Sequence, residues 1–300
     1  MSQTPDRVVL ITGAAGGIGR ALARRFAEPG TALVLIDRDS DRLEVLRGEL
    51  DDVPVIADAL DITDEEAVED LVTRVENRWG AVGVLINNAA YAYDEDLLDT
   101  TPQRWDEQVA VALRAPYLCS RAVLPGMQRT GTGVIVNMAS VNARQYFGNE
   151  AYSAAKAGIE SLTRSIAVRY GPDGVRSVAL GIGTVLTPGA WDSRIERDPD
   201  IVERLTRWYP AGRLGSPDDI AELSHFVASD AASWITGTTI MIDGGLTAGN
   251  SQLAADVLGR SPRRPLAADD VADHRERTPI DADGASEVRR DREADIGEIR

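Results

Sequence analysis

Short apolar runs alternate with helix-patterned segments along this chain, and no other feature constrains its fold as strongly. β-branched or apolar runs occupy 8–11, 33–36, 84–86, 134–136, 175–180 and 239–242. Between them lie segments with helical character, including 17–27, 64–79, 103–127, 151–170 and 218–227. In one of these, Val68, Leu71, Val72 and Val75 recur at helical spacing and make a single apolar face. Another opens with Ser216-Pro217-Asp218-Asp219, a strong helix-start signature. Strands joined by helices of this length need crossover connections. The alternation therefore predicts an α/β fold, a doubly wound parallel sheet with helices on both faces. Such sheets bind ligands beyond the carboxyl ends of their strands, where the strand order reverses.

The 300 residues are 43% apolar, enough for one large domain, expected over 1–250. Residues 251–300 change character. Arg260-Ser261-Pro262-Arg263-Arg264-Pro265 opens a stretch of mixed charge that closes near Arg289-Arg290-Asp291-Arg292-Glu293, and a disordered charged tail is expected there. No apolar run is long enough to cross a bilayer, and the start carries no basic-then-apolar export signal. Neither membrane insertion nor export is expected, and the cytoplasm is the expected location. A net charge of −16 argues against a nucleic-acid partner. One cysteine, Cys119, and two distant histidines, His225 and His274, leave no basis for a disulfide, a metal site or a Ser-His triad. Cys119 is expected to fill the core. Of 32 basic residues, Lys156 alone is lysine, which points to a position that a guanidinium does not suit.

The first strand runs directly into Thr12-Gly13-Ala14-Ala15-Gly16-Gly17-Ile18-Gly19 and then into helix. A glycine-rich turn lets backbone approach a pyrophosphate, and the following helix presents unpaired N–H groups and the positive end of its dipole. The spacing Gly13-x-x-x-Gly17-x-Gly19 differs from the commonest dinucleotide fingerprint, and no Gly-Lys-Ser/Thr follows it, so this is not a P-loop. Asp37 ends the second strand, at the distance expected of an acid that accepts hydrogen bonds from ribose hydroxyls. A carboxylate there repels a 2′-phosphate, so NAD is the expected cofactor. Arg38, beside it, is the one feature that favours a phosphate.

This turn, then Asn87-Asn88-Ala89, Ser140, Tyr152-Ser153-Ala154-Ala155-Lys156 and Asp243-Gly244-Gly245, come in an order that resembles the short-chain dehydrogenase/reductase family over roughly 7–249. The resemblance implies a Rossmann-type sheet and a catalytic set of Ser140, Tyr152 and Lys156. It also implies cofactor contacts from Ile18, Asp61, Ile62, Asn88, Val185 and Thr187, beside Gly13, Gly17, Gly19 and Asp37. Family members are dimers or tetramers built largely through the helices at 103–127 and 151–170, so a homodimer or homotetramer is expected.

Physical reasoning about the pair agrees. Residues four apart share a helix face, which aims Tyr152 and Lys156 into one cleft. A free phenol titrates near 10, and a neighbouring ammonium and a nicotinamide cation would both favour its ionised form. Four departures from the family pattern stand out. Ala112 occupies the place of an asparagine that supports a proton relay, Ala90 follows Asn88-Ala89 where glycine is usual, Ile182-Gly183 replaces Pro-Gly, and Val178 replaces an asparagine.

The expected reaction is hydride transfer between NAD and a secondary alcohol or ketone. Aromatic residues at Tyr91, Tyr93, Tyr146 and Phe147, and along 191–209, suggest an apolar or ring-bearing small-molecule substrate. Two alternatives remain: a 3-oxoacyl thioester reductase, and a weakly catalytic NAD-binding sensor or scaffold.

Overall fold

The computed structural model describes residues 5–259 apart from 94, 188 and 190. Seven strands pair in parallel: β1 (Arg7–Thr12), β2 (Thr31–Asp37), β3 (Val55–Ala59), β4 (Val84–Asn87), β5 (Gly133–Ser140), β6 (Val175–Ile182) and β7 (Thr238–Ile242). They form one sheet of order β3-β2-β1-β4-β5-β6-β7. The order reverses between β1 and β4, which creates the crevice the α/β pattern predicts. Ten α-helices among the described residues complete the fold: α1 (Gly17–Phe26), α2 (Ser40–Gly48), α3 (Glu65–Trp79), α4 (Pro102–Val109), α5 (Ala115–Thr130), α6 (Glu150–Tyr170), α7 (Asp192–Arg197), α8 (Ile201–Thr206), α9 (Pro217–Ala228) and α10 (Ser251–Val257).

Strand β1 shows why the sheet must be covered twice. Val9 and Ile11 point into a core shared with Leu22 and Phe26 of α1 and Val227 of α9. Val8 and Leu10 point the other way, into a core with Leu71 and Val75 of α3, Cys119 of α5 and Ile166 of α6. A strand apolar on both faces belongs in the middle of a parallel α/β sheet, and each side chain so buried contributes about 1.5–3 kcal/mol. Cys119 is core filler as expected, and burial pushes its thiol up to about 12.

The predicted helix over 103–127 is two helices. A single π-helical turn, Ala110–Arg114, joins α4 to α5, with the Ala115 N–H bonded to the Ala110 carbonyl five residues back. Fully buried Ala112 lies in this turn, and such turns are frequent at functional sites. The strand β3 and the helices α2, α7 and α8 were not anticipated from the sequence. At the start of the expected tail, α10 forms a short helix, and residues 260–300 lie outside the described residues.

Candidate active site

The carboxyl ends of β1, β2, β4, β5 and β6 open on one cavity of about 490 Å³. At one end lies the glycine turn. Gly13 has a φ of +65°, and a Cβ there would stand 2.8 Å from the Cα of Ala89. A Cβ on Gly17 would meet the Thr187 side chain at 2.7 Å, and one on Gly19 would stand 2.1 Å from the Gly13 carbonyl oxygen. Side chains at these points would close the cradle. Helix α1 is capped by Gly16, with no side-chain hydrogen bond and no acidic residue in its first turn. Its leading N–H groups are thus open toward the cavity, an arrangement suited to a pyrophosphate.

Asp37 stands at the rim of the same turn. Its Oδ2 accepts from the Ala15 N–H at 2.9 Å and its Oδ1 from the Arg38 N–H at 2.8 Å. These bonds fix the carboxylate facing the cavity and leave lone pairs for a diol. Asp61 Oδ1 accepts from the N–H and hydroxyl of Thr63 at 2.8 and 2.7 Å, and the Thr63 backbone bond holds its carboxyl below the usual range. Ile18, Asp61, Ile62, Asn88, Val185 and Thr187 all line the cavity. Asn88 does so with both amide hydrogens committed, to the carbonyls of Thr12 at 2.9 Å and Gly13 at 3.0 Å. It latches β4 to the glycine turn, and its Oδ1 is what remains to meet a ligand. The residues therefore fit a dinucleotide: an open helix terminus behind a glycine cradle, a fixed carboxylate at the cavity rim and an apolar wall.

At the other end of the cavity stand Ser140, at the tip of β5, and Tyr152 and Lys156, one turn apart on α6. The Lys156 ammonium lies 5.3 Å from the Tyr152 ring centre and donates to the Met138 carbonyl at 2.5 Å. Burial pushes this ammonium down to about 8. Burial also pushes the Tyr152 phenol above its usual value, and the hydrogen bond with Ser140 offsets only part of that rise. The direction is opposite to the lowering expected from a neighbouring ammonium, and burial is the reason.

Beneath the cavity a buried chain of amides and hydroxyls ties these strands to α6. Asn87 donates to Asn137 at 2.8 Å, Asn137 to Thr163 at 2.9 Å, and Thr163 to the Ile159 carbonyl at 2.8 Å. Sequence reasoning gave these residues no role, since only the fold brings them together. It also missed Thr12, whose hydroxyl accepts from the N–H groups of Asn88 and Ala89 at 3.0 and 3.1 Å.

Residues 13–247 match the family described as enoyl-(acyl carrier protein) reductase. An uncharacterised oxidoreductase of Schizosaccharomyces pombe is 44% identical over 84% of this chain and 95% of its own length. The cis-4-hydroxycyclohexanecarboxylate dehydrogenase of Sinomonas cyclohexanicum is 36% identical over 81% of this chain and 97% of its own length. Among solved structures, a short-chain dehydrogenase/reductase from Burkholderia thailandensis superposes with a TM-score of 0.80 at 40% identity, covering 87% of this chain and all of that one. The fold, the ordered motifs and these likenesses place the chain in the short-chain dehydrogenase/reductase family of oxidoreductases. No helix among the described residues is long and apolar enough to cross a membrane.

Proposed function

We propose that this protein is an NAD-dependent dehydrogenase that transfers a hydride reversibly between NAD and a ring-bearing secondary alcohol or ketone. The observation that carries this reading is the convergence of Ser140, Tyr152 and Lys156 on one wall of a cavity whose far end is the glycine cradle and Asp37. A bound nicotinamide dinucleotide supplies the hydride acceptor for oxidation and the donor for reduction. In the direction of oxidation, Tyr152 takes the substrate hydroxyl proton on its phenolate oxygen. Ser140 donates a hydrogen bond to the same substrate oxygen and orients it. Lys156, compact and buried, would hold the nicotinamide ribose and, when charged, favours the phenolate.

Asp37 favours NAD over NADP because its carboxylate is already fixed by the Ala15 N–H and would lie against a 2′-phosphate. A second cavity of about 390 Å³ supports a ring-bearing substrate. Phe147 and Trp208, both with exposed faces, wall it beside Gln145, Leu246 and Arg207, and no carboxylate among the described residues lines it. Phe147 and Gln145 sit on the loop between Ser140 and Tyr152. The relative that acts on a hydroxycyclohexane acid supports the same substrate class. We also propose a homodimer or homotetramer in the cytoplasm, with residues up to 250 as the catalytic domain. Tyr117 on α5 and Val168 on α6 leave apolar surface exposed for such an assembly.

Titration with NAD and NADP, followed by a screen of cyclic and open-chain alcohols read by NADH absorbance, tests this reading. Tyr152→Phe is expected to lower turnover by about a thousandfold while NAD still binds. Full turnover in that variant removes Tyr152 as the acid–base group, and tighter binding of NADP than NAD removes Asp37 as the selector.

A further inference from the structure

Asn142 lies two residues beyond Ser140 and bonds to Ser140 on one side and to the segment that leads into α6 on the other. The Ser140 hydroxyl donates to Asn142 Oδ1 at 3.1 Å and accepts from the Asn142 backbone N–H at 3.2 Å. On its other side, Asn142 Nδ2 donates to the Gly148 carbonyl at 3.0 Å and to the Ser153 hydroxyl at 3.3 Å. The Ser153 hydroxyl donates to the same Gly148 carbonyl at 3.0 Å. Gly148 and Asn149 have φ values of +83° and +57°, so two left-handed residues in succession lead into α6. That conformation is costly for a residue with a side chain, and these bonds hold it.

The amide can sit only one way round. A carbonyl oxygen accepts and never donates, so Gly148 requires the NH₂ group of Asn142, and Oδ1 must face Ser140. A serine hydroxyl has one hydrogen. Asn142 Oδ1 and the Tyr152 oxygen therefore compete for that one hydrogen.

We propose that Asn142 is a positioning residue that holds the Ser140 hydrogen off Tyr152 until a substrate oxygen or a phenolate competes for it, and so sets the pH at which Tyr152 becomes a competent base. The proposal rests on the catalytic reading above and adds a residue that acts through Ser140. Asp37, Arg38 and Asp61 line the same cavity as Tyr152. Lys156 stands on its own helix. From the loop before α6, Arg144 is paired with Glu160 at 2.9 Å, and Glu150 meets the Tyr146 hydroxyl at 3.5 Å. Asp192 and Arg194 stand on α7. The π turn offers Val111 and Ala112, and β5 offers Met138 and Ala139, none of them charged.

The test is the pH profile of kcat/KM for alcohol oxidation. In Asn142→Ala the Ser140 hydrogen is free to turn to Tyr152 and stabilise the phenolate, so the acid limb should move down by about half a pH unit or more. If Asn142→Ala does not fold, Asn142→Asp is compared with and without the Ser140 hydroxyl: its added charge raises the limb in both backgrounds, and an excess shift with the hydroxyl present supports the proposal while equal shifts overturn it. In a Ser140→Ala background, adding Asn142→Ala should leave the limb of the residual activity where it was. A purely structural asparagine would change turnover or Tm with the limb unmoved in Asn142→Ala, and that result overturns the proposal. So does a shift that persists without the Ser140 hydroxyl. Failure of the catalytic reading looks different: Tyr152→Phe would then keep wild-type turnover.

Discussion

Helices α1 and α9 begin on the same side of the sheet, and their first turns are built in opposite ways. At α9, the Ser216 hydroxyl accepts from the Asp219 N–H at 3.2 Å, and the Asp219 carboxylate returns to the Ser216 N–H at 2.7 Å. Asp218 and Asp219 place negative charge at the positive end of the dipole, and Arg213 grips Asp219 with two bonds of 2.6 and 2.7 Å. At α1 there is no capping side chain and no acid, and two of the first three helical residues are glycine. With glycine as its N-cap, a helix start left this way forgoes roughly a few tenths of a kcal/mol of capping. The catalytic cavity opens on α1 and not on the cap of α9, which agrees with the proposal that the α1 start receives the anion. The capped start serves the site at one remove. Gly215, next to Ser216, bonds through its backbone to Thr184 and Leu186 at 2.9 Å each, and so fixes the segment that carries Val185 and Thr187.

Gly19→Ala should break the α1 side of this contrast with the largest effect. Its Cβ would stand 2.1 Å from the Gly13 carbonyl and 2.7 Å from the Cα of Ala14, so the turn must open. Calorimetry should show NAD affinity falling about a hundredfold, ~2.7 kcal/mol. Wild-type affinity in this variant would mean that the turn is not the phosphate cradle.

Asp219→Asn addresses the other side. It removes the charge that Arg213 grips and should cost about 1–2 kcal/mol of unfolding free energy, with NAD affinity changed only a few-fold. The pH dependence has a definite sign. The Arg213 hydrogen bonds hold the Asp219 carboxyl below the usual range, against burial, so its contribution is complete above the unfolded value and is lost as pH falls. Denaturant titrations below about pH 5 should therefore show the gap between wild type and Asp219→Asn closing. A gap independent of pH would assign the loss to packing instead of charge.

What could be read from the sequence follows the same division. The glycine turn, Asp37 and the Tyr152–Lys156 pair were legible because each is local: a turn between strand and helix, a strand end, two residues on one helix face. The Ser216 cap was legible for the same reason. Strand β3 was not, because it is an edge strand behind Pro54, half-buried, with Asp58 breaking its apolar run. The π turn was hidden because one extra residue in a helical turn barely disturbs the apolar spacing across α4 and α5. Asn142 and the Asn88 latch depend on which carbonyls the fold brings near them, information no local pattern carries. The raised phenol of Tyr152 was hidden likewise, since burial is a property of the closed cleft.

The smallest effect concerns a second concession at the site, the burial of a charge at Lys156. Its ammonium is pushed down to about 8, against 10.5 for the unfolded chain. Between these values the unfolded chain binds more protons than the folded one, so this group makes the cofactor-free protein more stable as pH rises. Two other buried groups act in the opposite sense. The Cys119 thiol, pushed up to about 12, and the Tyr152 phenol, pushed above its usual value, both keep their protons longer in the folded state and erode stability at high pH. Wild-type stability alone would blend the three. Lys156→Met keeps the stem and removes the titration, while Cys119 and Tyr152 remain in both proteins. From about pH 8 to 9.5, wild type should gain on the order of 1 kcal/mol relative to Lys156→Met, a shift of a few degrees in Tm. A difference that stays flat over that interval would mean that the ammonium is solvated in the folded protein. The lone lysine would then owe its place to its shape beside the cofactor and not to a tuned charge.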